Sequence, residues 1–101
     1  MIIKFFPEFS CYSLWVVTEF GVDNIDPNEL PLSDNLKTDI KKWEDEYESI
    51  YNPNNPAESG FESSKAEAEF WNTGEKLFKR LKTELPDDDI LYSRPMDKIF
   101  L

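Results

Sequence analysis

Two amphipathic helical segments, separated by a break rich in proline and asparagine, set the frame for this chain. Leu36, Ile40, Trp43, Tyr47 and Ile50 follow one another at intervals of four, three, four and three, so all five fall on one helical face. Phe70, Leu77 and Leu81 mark a second such face, which Trp71, Phe78 and Leu85 widen. Between them stand Asn52, Pro53, Asn54, Asn55, Pro56, Ser59 and Gly60, whose backbone and side-chain preferences compete with helical hydrogen bonding. Ser33 is the expected N-cap of the first helix, with Asp34 suited to the positive end of its dipole. Ser64 and Glu67 have the spacing of a capping box and predict the start of the second helix, which Pro86 stops. Gly74, inside that helix, lets a neighbour approach closely at some cost in helix stability.

The ends of the chain read as strands. Ile2, Ile3, Phe5 and Phe6, cut off by Pro7, and then Leu14 to Val17, are rich in the β-branched and aromatic residues that suit a pleated, half-buried surface. Ile90, Leu91 and Tyr92 form a third candidate, placed to pair beside the first. Thr18 to Leu32, with Gly21, Asn24, Pro27 and Pro31, reads as a surface loop. The expectation is an α+β fold in which a small antiparallel β-sheet packs against two amphipathic α-helices, as one domain over residues 1–101. A content of 40% hydrophobic and 15% aromatic residues separates the chain from disordered acidic sequences.

Several chemistries are excluded by residue type. There is no histidine and Cys11 is the single cysteine, so neither a Ser-His-Asp nor a Cys-His arrangement can be built, and nitrogen and sulfur zinc sites are absent. No internal disulfide is possible either, which fits a reducing compartment, and the expected location is cytoplasmic. Lys4, Pro7 and Glu8 interrupt the first apolar run before it reaches the length of a signal sequence, and nothing later approaches a membrane span. Asp23-Asn24-Ile25-Asp26-Pro27 superficially resembles a calcium loop but lacks the alternating oxygens and central glycine, so it reads as an Asx-type turn. Lys76, Lys79, Arg80 and Lys82 read as a helix end matched to its dipole, not a nucleic-acid patch. Cys11 reads as an inert packed thiol, Trp43 and Trp15 as core, and Trp71 and Tyr51 as edge residues, partly exposed. No catalytic residue, cofactor or metal is expected, and the chain does not read as an enzyme.

Charge then suggests binding. The chain has 21 acidic against 11 basic residues, a net of −10, which repels nucleic acid and anionic membrane and attracts basic partners. Residues 44–69 hold eight carboxylates against Lys65 alone, a local net of −7. In the first helix the order opposes the dipole, with Lys37, Lys41 and Lys42 early and Glu44, Asp45, Glu46 and Glu48 late, each forfeiting about 0.3–1 kcal/mol at low salt. The second helix runs the favourable way, so antiparallel packing of the two would bring acidic ends together into one negative pole. The expected partner contact is Glu44, Asp45, Glu48 and Glu58, with Tyr51 as an aromatic anchor and Asp23, Asp26 and Glu29 as a second patch.

The run from Gly21 to Ser33 (Gly-Val-Asp-Asn-Ile-Asp-Pro-Asn-Glu-Leu-Pro-Leu-Ser), followed by Trp43, Tyr47 and Asn52 to Phe61 with Ser59-Gly60-Phe61, resembles a group of small bacterial proteins. Some of these are similar to immunity proteins of contact-dependent growth inhibition and related polymorphic toxin systems. The resemblance covers residues 1 to about 85 and leaves out the tail from Leu91 to Leu101. It implies a cytosolic antidote that binds one toxin domain, the C-terminal domain of a large secreted effector, and blocks its active site or substrate surface. A nuclease toxin fits the charge, since a site built for phosphates is basic and an acidic surface can occupy it. Complementary charge would also speed capture. Two rival readings stand beside this one: an acidic interaction or regulatory subunit with no toxin partner, and a small hydrolase working through paired carboxylates.

Overall fold

Alternation of burial along the first strand shows which side of the sheet the helices cover. Ile3 and Phe5 are fully buried, whereas Ile2 is exposed and Lys4 half-buried. The structure, a computed structural model, describes residues 1–55 and 59–93. Within these, β1 (Ile2–Phe5), β2 (Leu14–Thr18), β3 (Gly21–Ile25) and β4 (Asp89–Tyr92) form one sheet in the order β3-β2-β1-β4. Two helices, α1 (Asp34–Ser49) and α2 (Ser64–Glu84), pack on its buried face. The fold class is α+β, as expected.

The sheet departs from expectation in two ways. β1 pairs antiparallel with β2 (Ile3 opposite Val16, Phe5 opposite Leu14), but it pairs parallel with β4 (Ile3 opposite Ile90), so the sheet is mixed. A parallel neighbour needs a crossover longer than a hairpin, and the two helices supply it. The segment Thr18–Leu32 is also not a loop throughout. Its first part is β3, joined to β2 through Glu19 and Phe20, with Thr18 opposite Gly21. The Thr18 hydroxyl closes that turn by accepting from the Phe20 amide and donating to the Gly21 carbonyl. Gly21, at φ 136°, holds a conformation that side chains disfavour. Further along, Pro27–Glu29 forms a 3₁₀ turn.

Helix caps explain where α1 and α2 begin. The Ser33 hydroxyl accepts from the Leu36 amide, as expected. α2 is capped by Ser63, not Ser64: the Ser63 hydroxyl accepts from the Ala66 amide, which places Glu67 one position too far along for the anticipated capping box. Leu36, Ile40 and Trp43 of α1 and Phe70, Gly74, Leu77 and Leu81 of α2 are buried between the helices and the sheet.

Trp43 is the hub of that core. Its ring stacks on Phe70 at 4.6 Å and on Phe5 at 4.9 Å, while its indole N–H donates to the Phe70 carbonyl at 2.9 Å, which satisfies the buried polar atom. Contacts between the helices run Ser33 to Glu84, Asp39 to Arg80, then Trp43 to Phe70, so rising numbers in α1 meet falling numbers in α2. The helices are therefore antiparallel. Trp15 does not join this core, because its register opposite Lys4 and Asn24 sets it on the other face of the sheet. There it is half-buried and stacks on Phe6 at 4.8 Å. Cys11 is exposed rather than packed, since it sits in the β1–β2 loop. No helix among the described residues is long and apolar enough to cross a membrane.

Candidate functional site

The second half of α1 turns two carboxylates, one helical turn apart, toward the loop that joins β1 to β2. Glu44 accepts from both the backbone amide and the hydroxyl of Ser13, at 2.6 and 2.7 Å, through a single oxygen. Ser13 is fully buried, so this carboxylate satisfies polar atoms that water cannot reach. Burial pushes the Glu44 carboxyl above its ordinary range, and the Ser13 bonds and the nearby Lys41 pull it part of the way back. Glu48 accepts from the Ser10 amide, and Ser10 holds a left-handed φ of 61°.

Aromatic rings fix the same loop. Phe9 stacks on Tyr47 at 4.7 Å and leans against Tyr51 at 5.0 Å. Tyr47 extends the cluster inward to Phe70 and Trp71, and Phe61, just before α2, packs on the same rings. Tyr51 keeps 40% of its surface exposed and Tyr12 keeps 43%. Asp26 beside Tyr12, with Glu44 and Glu29 adding to the field, pushes the Tyr12 hydroxyl upward. Burial, with Glu8 and Glu48 adding their charge, does the same to Tyr47.

Most of the residues expected to meet a partner can now be placed. Glu44 and Glu48 lie together at the β1–β2 loop, both engaged with its backbone. Asp45 points elsewhere, is exposed, and pairs with Lys41 at 3.3 Å. Asp26 accepts from the Asn28 amide, the Asx-type turn expected, while Glu29 accepts from the Asp26 amide and completes a capping box for the 3₁₀ turn. Asp23 stands on the edge strand β3 opposite Val16. Glu58 lies outside the described residues. The two acidic groups meet on one side, because Asp26, Glu44 and Asp45 line one groove of about 440 Å³ with Tyr12. Lys37, Lys41 and Lys42 also line it, so the groove is mixed in charge.

Sequence reasoning passed over Phe9, Tyr12 and Ser13. They sit in a loop without periodicity, and the one available signal was an aromatic residue on either side of a short polar stretch. At the pole itself, the packing of Tyr47 on Phe70 and of Phe61 on both Phe70 and Trp71 sets the acidic end of α1 beside the start of α2. Glu62, Glu67 and Glu69 are exposed there. The far end joins Ser33 to Glu84, whose carboxylate accepts from the Ser33 amide and hydroxyl and is pulled below its ordinary range by those bonds.

No curated protein matches this sequence. Residues 1–94 match the family described as Serratia CdiI immunity protein-like, a span that takes in β4 and so reaches beyond the part of the chain in which the resemblance was legible. With that match over nearly its whole length, the chain belongs to this family of immunity proteins of contact-dependent growth inhibition.

Proposed function

We propose that this immunity protein neutralises a nuclease toxin by laying its acidic pole over the basic surface with which the toxin holds nucleic acid. Family membership implies a cognate toxin as partner. The nuclease reading rests on one observation: antiparallel packing gathers the carboxylates of the end of α1 and the start of α2 at one end of the molecule, against the preference of the α1 dipole. Asp45, Glu46, Glu62, Glu67 and Glu69 are the exposed members. Glu44 and Glu48 add to the same field, Asp23, Asp26 and Glu29 form its second patch, and Tyr51 is the aromatic anchor; Glu58, outside the described residues, stays an expectation from sequence. The protein acts in the cytoplasm, where the incoming toxin would meet nucleic acid, and it works by occupancy without catalysis or cofactor.

The test uses the cognate toxin domain, sought in the open reading frame immediately upstream. Purified together with the immunity protein, it should lose its nucleic-acid cleavage at a one-to-one ratio. The triple variant Asp45→Lys, Glu67→Lys, Glu69→Lys should associate about tenfold more slowly at low salt, with a weaker salt dependence. A toxin domain that cleaves no nucleic acid would remove the nuclease reading, and an unchanged association rate would remove the pole.

A further inference from the structure

Glu44 and Glu48, the half-buried carboxylates in the second half of α1, both accept hydrogen bonds from backbone amides of one loop. That loop is held along its length, with Tyr12 bound at its amide and its carbonyl by the Asn24 side chain. Ser13 is bound through its amide and hydroxyl, Ser10 through its amide, Phe9 through its ring on Tyr47 and Tyr51, and the Cys11 amide donates to the Glu8 carbonyl at 3.3 Å. Ser10 adopts its left-handed conformation within this frame, and a non-glycine residue keeps such a conformation only where its surroundings over-determine it. A short surface loop held so firmly is pre-organised, and pre-organisation lowers the entropic cost of binding.

The loop also presents ring surface. Tyr12 at one end and Tyr51 against Phe9 at the other are two of the seven large hydrophobic side chains exposed among the described residues, and tyrosine is enriched at binding hot spots because it orders a large area at low entropic cost. Asp26 lines the same groove as Tyr12 and is the carboxylate that acts most on its ring, while Glu8, at the start of the loop, adds its charge at the ring cluster of Tyr47. An aromatic face beside carboxylates suits a guanidinium, which stacks on the ring while its N–H groups face the acids. Glu44 and Tyr51 are seven residues apart along the α1 direction, about 10 Å at helical rise, so one cation cannot serve both ends.

We propose that the β1–β2 loop, Pro7–Ser13, is the recognition element for the toxin, that Tyr12 and Tyr51 each receive an arginine from one basic segment of the toxin domain, and that Glu44 and Glu48 are positioning residues which hold the loop. The inference rests on the toxin-binding reading above and assigns the contact within it.

The experiment is isothermal titration of the cognate toxin domain, sought in the neighbouring genes, against variants of the 101-residue chain, with thermal unfolding measured in parallel. Tyr12→Ala should keep the melting temperature, Tyr51→Ala, which takes one of two rings from Phe9, should lower it slightly, and each should weaken binding at least tenfold. Glu44→Gln and Glu48→Gln keep an acceptor oxygen for the loop amides but lose the charge, and should bind within about threefold of wild type. Glu44→Ala and Glu48→Ala remove the acceptor and should weaken binding tenfold or more, with faster hydrogen exchange confined to residues 8–13. Wild-type binding by both tyrosine variants overturns the proposal while leaving the immunity function intact. Glutamine variants as weak as the alanine ones also overturn it, since the carboxylates would then act by charge. A wild-type protein that fails to bind the toxin domain overturns both readings.

Discussion

The indole of Trp43 occupies the space that a side chain at position 74 would need. A Cβ built on Gly74 would stand 2.5 Å from Trp43 Cζ2, and it would also collide with the Tyr92 hydroxyl, which donates to the Trp71 carbonyl. One glycine thus lets α1, α2 and β4 meet at a single point. Gly74→Ala gains about 1 kcal/mol in helix propensity. Overpacking should cost about 1–3 kcal/mol and outweigh it, because Trp43 is clamped between Phe5 and Phe70 and cannot retreat. Urea unfolding that showed the variant more stable than wild type would contradict this packing account.

Capping chemistry distinguishes two neighbouring serines. Ser63→Ala should cost about 1 kcal/mol, because the Ala66 amide loses its acceptor. Ser64→Ala, at an exposed first helical position, should stay within about 0.5 kcal/mol of wild type. The two curves from chemical denaturation should therefore separate, and the reverse order would move the start of α2.

Two glutamates should titrate on opposite sides of the ordinary value of 4.5. For Glu84 the folded-state pKa lies below the unfolded one, so its contribution to stability is present above pH 4.5 and is lost as pH falls through the folded value. For Glu44 the folded pKa lies above, so its contribution is present below pH 4.5 and fades as pH rises through the folded value. Carbon-detected titration of the side-chain carboxyls should show Glu44 as the later of the two to ionise. Glu44→Gln should flatten the stability profile on the alkaline side of 4.5, and a profile unchanged by that variant would refute the burial argument.

Arg80 and Asp39 join the helices at 2.6 Å, but both side chains are about two-fifths exposed. A double-mutant cycle to alanine should therefore return only about 0.5–1 kcal/mol of coupling, declining as salt is raised. Coupling several times larger, or insensitive to salt, would mean that the pair is better shielded than its exposure indicates.

The helices were legible in the sequence because their signal is periodic and long. Leu36, Ile40 and Trp43 alternate by three and four, and each is buried. Ser33 was identifiable as a cap, whereas Ser63 and Ser64 lie side by side and local chemistry does not choose between them. β3 was hidden because Gly21, Asp23 and Asn24 are turn formers that strands avoid, and only Ile25 of that strand packs against the core. Its pairing comes from β2 and from the Asn24 amide, which donates to the Tyr12 and Leu14 carbonyls. The direction of β4 was equally closed to local reading, because parallel and antiparallel strands have similar composition. At the candidate site, the charges of Glu44 and Glu48 could be read from sequence, but their engagement with Ser13 and Ser10 depends on contacts spanning 31 and 38 residues.

The parallel alignment of β1 with β4 bears on how the protein is made. β1 is an inner strand, yet one of its two neighbours is contributed by residues 89–92, so residues 2–5 wait for a segment made long after them. Until β4 arrives, the Met1 carbonyl lacks the Asp89 amide and the Phe5 carbonyl lacks that of Ser93, leaving one side of β1 open during translation. Contacts of such long sequence separation slow folding. The sheet would therefore close on both sides of β1 only once residues 89–93 have cleared the ribosome, so whatever binding depends on a finished sheet must wait for them.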